Sequence, residues 1–99
     1  MNAVSSDQEV LAFDGDMTIY NAENQKQDLF SLLSRKKNIS VNLADVDEFD
    51  TAGFQVLLFG KQYAEKNGIE LVLKSASEPV AEVFKLYGMS SLLENHNES

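Results

Sequence analysis

Cysteine and tryptophan are absent from this 99-residue chain, histidine and proline occur once each, and 8 basic side chains face 16 acidic ones. Without cysteine there is no disulfide framework, no thiolate metal site and no cysteine nucleophile, a composition that fits a reducing compartment. The single histidine, His96, lies in a polar terminal stretch, so no imidazole is placed to activate a serine or threonine for nucleophilic catalysis. No apolar run approaches the length of a membrane span, and the start MNAVSSDQEV has neither a basic leader nor a long apolar stretch. The expectation is a cytoplasmic protein with no direct membrane insertion. The scarcity of lysine and arginine leaves a net charge of −8, which repels phosphate backbones and anionic lipid surfaces and excludes nucleic acid as a direct partner.

What is present is enough apolar material, 43% of residues, for one packed core in one domain. No repeat or linker interrupts residues 9–93, whereas 1–8 and 94–99 are polar and aperiodic and read as flexible tails. Glu9 to Phe13 and Met17 to Tyr20 are short runs joined through Asp14 and Gly15, a dipeptide suited to a hairpin between antiparallel strands. Asn21 is placed to cap a helix with Ala22, Leu29, Phe30 and Leu33 on one side. Ile39, Val41 and Leu43 alternate with polar residues as a strand does, and 44–49 read as a loop. From Thr51 to Lys66 apolar residues cover most of the girth, predicting a largely buried helix stopped by Asn67 and Gly68. Residues 69–73 follow as a strand, and Ser77 with Pro79 opens a last helix whose Val80, Val83, Phe84 and Tyr87 form an apolar stripe. The order ββαβαβα predicts an α/β fold, a mixed sheet of about four strands covered by helices. Phe84 and Tyr87 are both expected in the core.

Asp45, Asp47, Glu48 and Asp50 lead into Thr51, Ala52, Gly53 and Phe54. Either Asp50 or Thr51 can cap the buried helix, which is a purely structural role. A hydroxyl at a helix start is also a place where phosphate is electrostatically tolerated, and about 1.5 to 2 added negative charges there would repel a partner docked on the neutral surface. A calcium loop starting at Asp45 fails in register, because Phe49, Asp50 and Val56 stand where an oxygen ligand, glycine and glutamate are needed. No cofactor is indicated.

The stretch FDTAGFQVLL, preceded by ISVNLADV and followed by IELVL and a helix ending LYGM, together with FDGDMTIYNA upstream, resembles the STAS domain of bacterial anti-sigma factor antagonists over residues 9–93. The family motif, Asp-Ser-Ser-Gly or Asp-Thr-x-Gly followed by leucine, is matched by Asp50, Thr51, Ala52 and Gly53, with Phe54 in place of leucine. The resemblance implies a non-enzymatic interaction module that binds an anti-sigma factor or serine/threonine kinase. It implies phosphorylation at Thr51, reversed by a phosphatase, and a partner surface at Asp50, Thr51, Ala52, Gly53, Phe54 and Gln55 with the adjoining loop at Asp16, Tyr20 and Asn21. Similar sequences with Asp-Thr-Ala-Gly are the small cytosolic subunit of lipid-transport ABC systems and chemotaxis-linked adaptors, in which the threonine serves unmodified at a contact surface.

Overall fold

The computed structural model describes residues 8–94, so His96 and residues 1–7 and 95–99 of the expected tails lie outside the described residues, while Gln8 opens the first strand and Glu94 N–H donates to Leu73 O. Its elements are β1 (Gln8–Met17), α1 (Ala22–Leu33), β2 (Asn38–Phe49), α2 (Thr51–Lys66), β3 (Leu71–Lys74) and α3 (Glu78–Leu86), followed by a 3₁₀ turn at Ser90–Leu92. The strands form one sheet in the order β1-β2-β3. Both pairings are parallel, as helical crossovers between successive strands require.

The α/β class holds, with three strands among the described residues instead of about four. The difference arises at Asp14 and Gly15. Gly15 does take the left-handed φ of 74° that a hairpin would exploit, but Asp14 stays paired with Asp45 and Gly15 with Val46, so β1 continues through them. The chain bends without reversing. Residues 44–49, expected as a loop, are the second half of β2. They pair with residues 14–17 through two register shifts, between Ala12 and Asp14 and between Gly15 and Asp16, each adding one residue on the β2 side. Such bulges break the period of two that sequence reading relies on.

The core lies between the sheet and its helices. Ile39, Val41 and Leu43 of β2 and Leu73 of β3 are fully buried, as are Leu33, Leu57, Val80 and Phe84 from the helices. Each such side chain contributes about 1.5 to 3 kcal/mol on burial. On the opposite sheet face Val10, Ala12, Asn42 and Lys74 are exposed. Helix α2 spans the residues predicted for it and buries Gly53, Phe54, Val56, Leu57, Gly60 and Ala64, while Phe30 of α1 meets Phe59 and Tyr63 edge-on. Helix α3 ends in a turn that satisfies its last carbonyls. Gly88 N–H donates to Lys85 O and Met89 N–H to Phe84 O at 2.8 Å, with Gly88 at φ 71°, the geometry of a Schellman cap. Ser77 occupies the N-cap of α3 without a side-chain cap bond.

Candidate functional site

Parallel strands deliver their C-terminal ends to one side of the sheet, where β1 feeds α1 and β2 feeds α2. Asp50 joins the two. Its Oδ1 accepts from Ala52 N–H at 2.8 Å and Gly53 N–H at 3.2 Å, capping α2. Its Oδ2 accepts from Ile19 N–H at 3.1 Å, so the same carboxylate ties down the loop of residues 18–21. Asp16 holds that loop from the other side, accepting from the Thr18 hydroxyl and from Asn21 Nδ2. Asn21 stands at the N-cap of α1 but makes no cap bond with its side chain, whose amide nitrogen donates to Asp16 Oδ1 at 2.8 Å. Gln25 Nε2 donates to Asp16 O at 2.9 Å, anchoring α1 to the end of β1.

The close approach of α2 to β1 depends on Gly53. A Cβ at that position would run into the carbonyl oxygen of Met17 and lie 2.9 Å from the Met17 Cβ, and that oxygen already accepts from Asp50 N–H. The nine residues expected at a partner surface therefore separate into two groups. Asp16, Asn21, Asp50, Gly53 and Phe54 build the scaffold, Gly53 and Phe54 being buried, whereas Tyr20, Thr51 and Gln55 are exposed. Ala52 lies between them on the wall of a groove of about 470 Å³ that it shares with Ala22, Lys26, Val56 and Phe59.

Two residues complete the surface that sequence reading left out. Ile19 is 71% exposed beside Tyr20 at 89%, an apolar pair displayed by the loop that Asp16 and Asp50 fix. Tyr87, expected in the core, is 45% exposed. Its ring stacks on Phe54 at 4.8 Å, and its hydroxyl lies 3.2 Å from Thr51 Oγ1. The stripe position of Tyr87 is right, but it falls at the C-cap of α3, where the helix runs out of core to cover. The need of a tyrosine hydroxyl for a polar partner was the available signal. Phe54 in turn meets Phe84 edge-on at 4.9 Å, and Phe84 stacks on Phe49, so an aromatic column leads from the end of β2 to the Thr51 hydroxyl.

Among the described residues, no three acidic or histidine side chains are grouped so as to hold a metal ion, and the carboxylates Asp14, Asp16, Asp45, Asp47, Glu48 and Asp50 form no ion pair with a base. No described helix is long and apolar enough to cross a membrane. The site is an exposed set of hydroxyls and apolar side chains held by hydrogen bonds to two aspartates.

Residues 1–94 match the family model described as Mlab, STAS domain, and the chain belongs to the STAS domain family. Among solved structures it resembles an anti-sigma factor antagonist from Thermotoga maritima, with 23% identity, a TM-score of 0.74 and coverage of 85% of this chain and 74% of that one. The anti-sigma factor antagonist SpoIIAA in its unphosphorylated form is similar at 18% identity and TM-score 0.72, over 88% of this chain and 78% of that one. A sulfate transporter family protein from Wolinella succinogenes matches at 18% identity and TM-score 0.72, over 95% and 82%. At these identities the likeness establishes the fold. None of the curated protein sequences matches the chain.

Proposed function

We propose that this STAS domain is a non-enzymatic, cytoplasmic regulatory module that docks a protein partner on the surface formed by Ile19, Tyr20, Thr51, Gln55 and Tyr87, with Thr51 as the control point. The partner class is an anti-sigma factor or a related serine/threonine kinase, and a phosphatase resets the site. The observation that carries the reading is the double use of Asp50: one carboxylate caps α2 and fixes the neighbouring loop, so an apolar pair and an exposed hydroxyl are presented together on a preformed surface. Preformed anchors reduce the ordering cost of binding. Phosphate on Thr51 adds charge to an already acidic rim and weakens docking by repulsion and bulk.

A second reading is favoured by one contact. The Thr51 hydroxyl already meets Tyr87, as it would if it served unmodified at a permanent interface, and the match to the Mlab model agrees with a subunit of a lipid-transport ATPase. A chemotaxis-linked adaptor would use the same unmodified surface. Recovery of partners from native cytosol by wild type, Thr51→Ala and Thr51→Glu, with mass spectrometry of Thr51 in protein isolated under phosphatase inhibition, separates the readings. The switch predicts that Thr51→Ala binds, Thr51→Glu does not, and phosphate is found on Thr51. Recovery of an ATPase by wild type, with no phosphate under any growth condition, selects the transport subunit.

A further inference from the structure

We propose that Tyr87 is the phosphate-holding residue of this site: when Thr51 carries a phosphoryl group, the Tyr87 hydroxyl donates to it and fixes its direction. The inference rests on the reading of Thr51 as a phosphoacceptor and adds a residue from another element to it. Phosphorylation moves the terminal phosphoryl group of a nucleoside triphosphate onto Thr51 Oγ1, expels the nucleoside diphosphate and releases the hydroxyl proton to the kinase's base. The ester oxygen then has no hydrogen to donate, so the hydroxyl pair is left with one donor, Tyr87.

A helix N-terminus would ordinarily supply amide donors to such a phosphate. Here the donors beyond Thr51 itself are occupied. Ala52 N–H and Gly53 N–H are bonded to Asp50 Oδ1, and Phe54 N–H donates to Asp50 O at 3.0 Å. The Asp50 carboxylate also places like charge beside the new group. Besides the Thr51 N–H, the side-chain donor in reach is the phenol 3.2 Å from Oγ1, and it is held there on two sides. Its ring is stacked on buried Phe54, and its backbone is set by the cap at Gly88 and Met89. The loop at 18–21 contributes no charged side chain, and on the α1 side the nearest charges along the groove from Ala52 are Glu23 and Lys26. Tyr87 is thus a neutral donor aimed at the one oxygen that modification changes, and a hydrogen bond to a phosphate oxygen favours its dianion.

The test uses full-length protein with phosphothreonine installed at position 51, in wild-type and Tyr87→Phe forms, titrated by phosphorus-31 NMR. Tyr87→Phe keeps the ring on Phe54 and removes only the hydroxyl, and equal thermal midpoints of the two proteins confirm equal folding. The expected result is a phosphate titration midpoint lower in wild type than in Tyr87→Phe by about 0.5 to 1 pH unit, the effect of one net hydrogen bond. Coincident titrations would overturn the proposal. Because the phosphate is installed chemically, this outcome is independent of whether a kinase modifies Thr51 in the cell, which the mass spectrum of cell-derived protein decides.

Discussion

At the N-terminal end of the sheet, Glu9 faces Arg35 at 3.9 Å and Lys37 at 3.7 Å, with all three side chains partly exposed. At the C-terminal end, Asp16 and Asp50 meet no base and accept instead from two amide hydrogens of α2, one of the loop, a threonine hydroxyl and an asparagine amide. The first arrangement relies on loose, screened ion pairs of the kind that contribute about 0 to 1 kcal/mol. The second sets backbone position directly, since three of its five donors are backbone amides, two of them in α2. The difference shows why the C-terminal end of the sheet can be orderly without cations. Its two aspartates spend their hydrogen-bonding capacity on the chain itself, leaving Asp14, Asp45, Asp47 and Glu48 around them without a basic partner among the described residues and available to one on another molecule.

Substitutions sharpen this contrast, beginning with the largest effect. Gly53→Val drives a branched side chain into the Met17 carbonyl and should cost about 3 kcal/mol, the upper end of the usual overpacking range, read as a lower urea midpoint at unchanged slope. Asp50→Ala removes the cap and the tether to Ile19 together. A loss of about 1 to 2 kcal/mol is expected, accompanied by faster hydrogen exchange at the Ile19 amide while amides of β2 stay protected. Thr51→Ala loses one exposed hydroxyl contact while Asp50 still caps, and should cost about 0.5 kcal/mol. Glu9→Gln, at the opposite end, should shift stability by less than about 0.5 kcal/mol and only at low salt. If Glu9→Gln proved as costly as Asp50→Ala in matched urea titrations, the two ends would not differ in the way described.

Much of this arrangement could be read in the residues. Helix α2 begins and ends where its aspartate cap and its Asn-Gly stop place it, and the α/β class follows from strands alternating with helices. Three features escaped for identifiable reasons. Asp14-Gly15 carries the composition of a turn, yet here the same backbone freedom bends a continuing strand, and only pairing with β2 distinguishes the two. Asp45, Asp47 and Glu48 lack alternation because the bulges interrupt it. The contact between Thr51 and Tyr87 joins residues 36 apart in sequence, and the tyrosine's need of a polar partner does not say which residue supplies it. The tightness at Gly53 accords with its place in a buried helix, but its opponent, the Met17 backbone, becomes visible only when α2 is laid across the end of β1.

The two bulges have a consequence best put as parity. Side chains on a strand alternate between faces, so each additional residue absorbed by a bulge in β2 switches the core-facing positions between odd and even numbers while leaving them matched to their β1 partners. Odd-numbered Ile39, Val41 and Leu43 point to the core, even-numbered Val46 does so after the first additional residue, and Phe49 does so after the second. Asp50 follows directly from that register, since Phe49 pairs with Met17 and the Asp50 N–H donates to Met17 O. Each bulge sets two residues of β2 against one of β1, so Val46 still pairs with Gly15 and Phe49 with buried Met17. Deleting the additional residue of either bulge would restore plain alternation and leave Phe49 toward Phe84, whereas a deletion elsewhere in β2 would shift every later side chain to the wrong face.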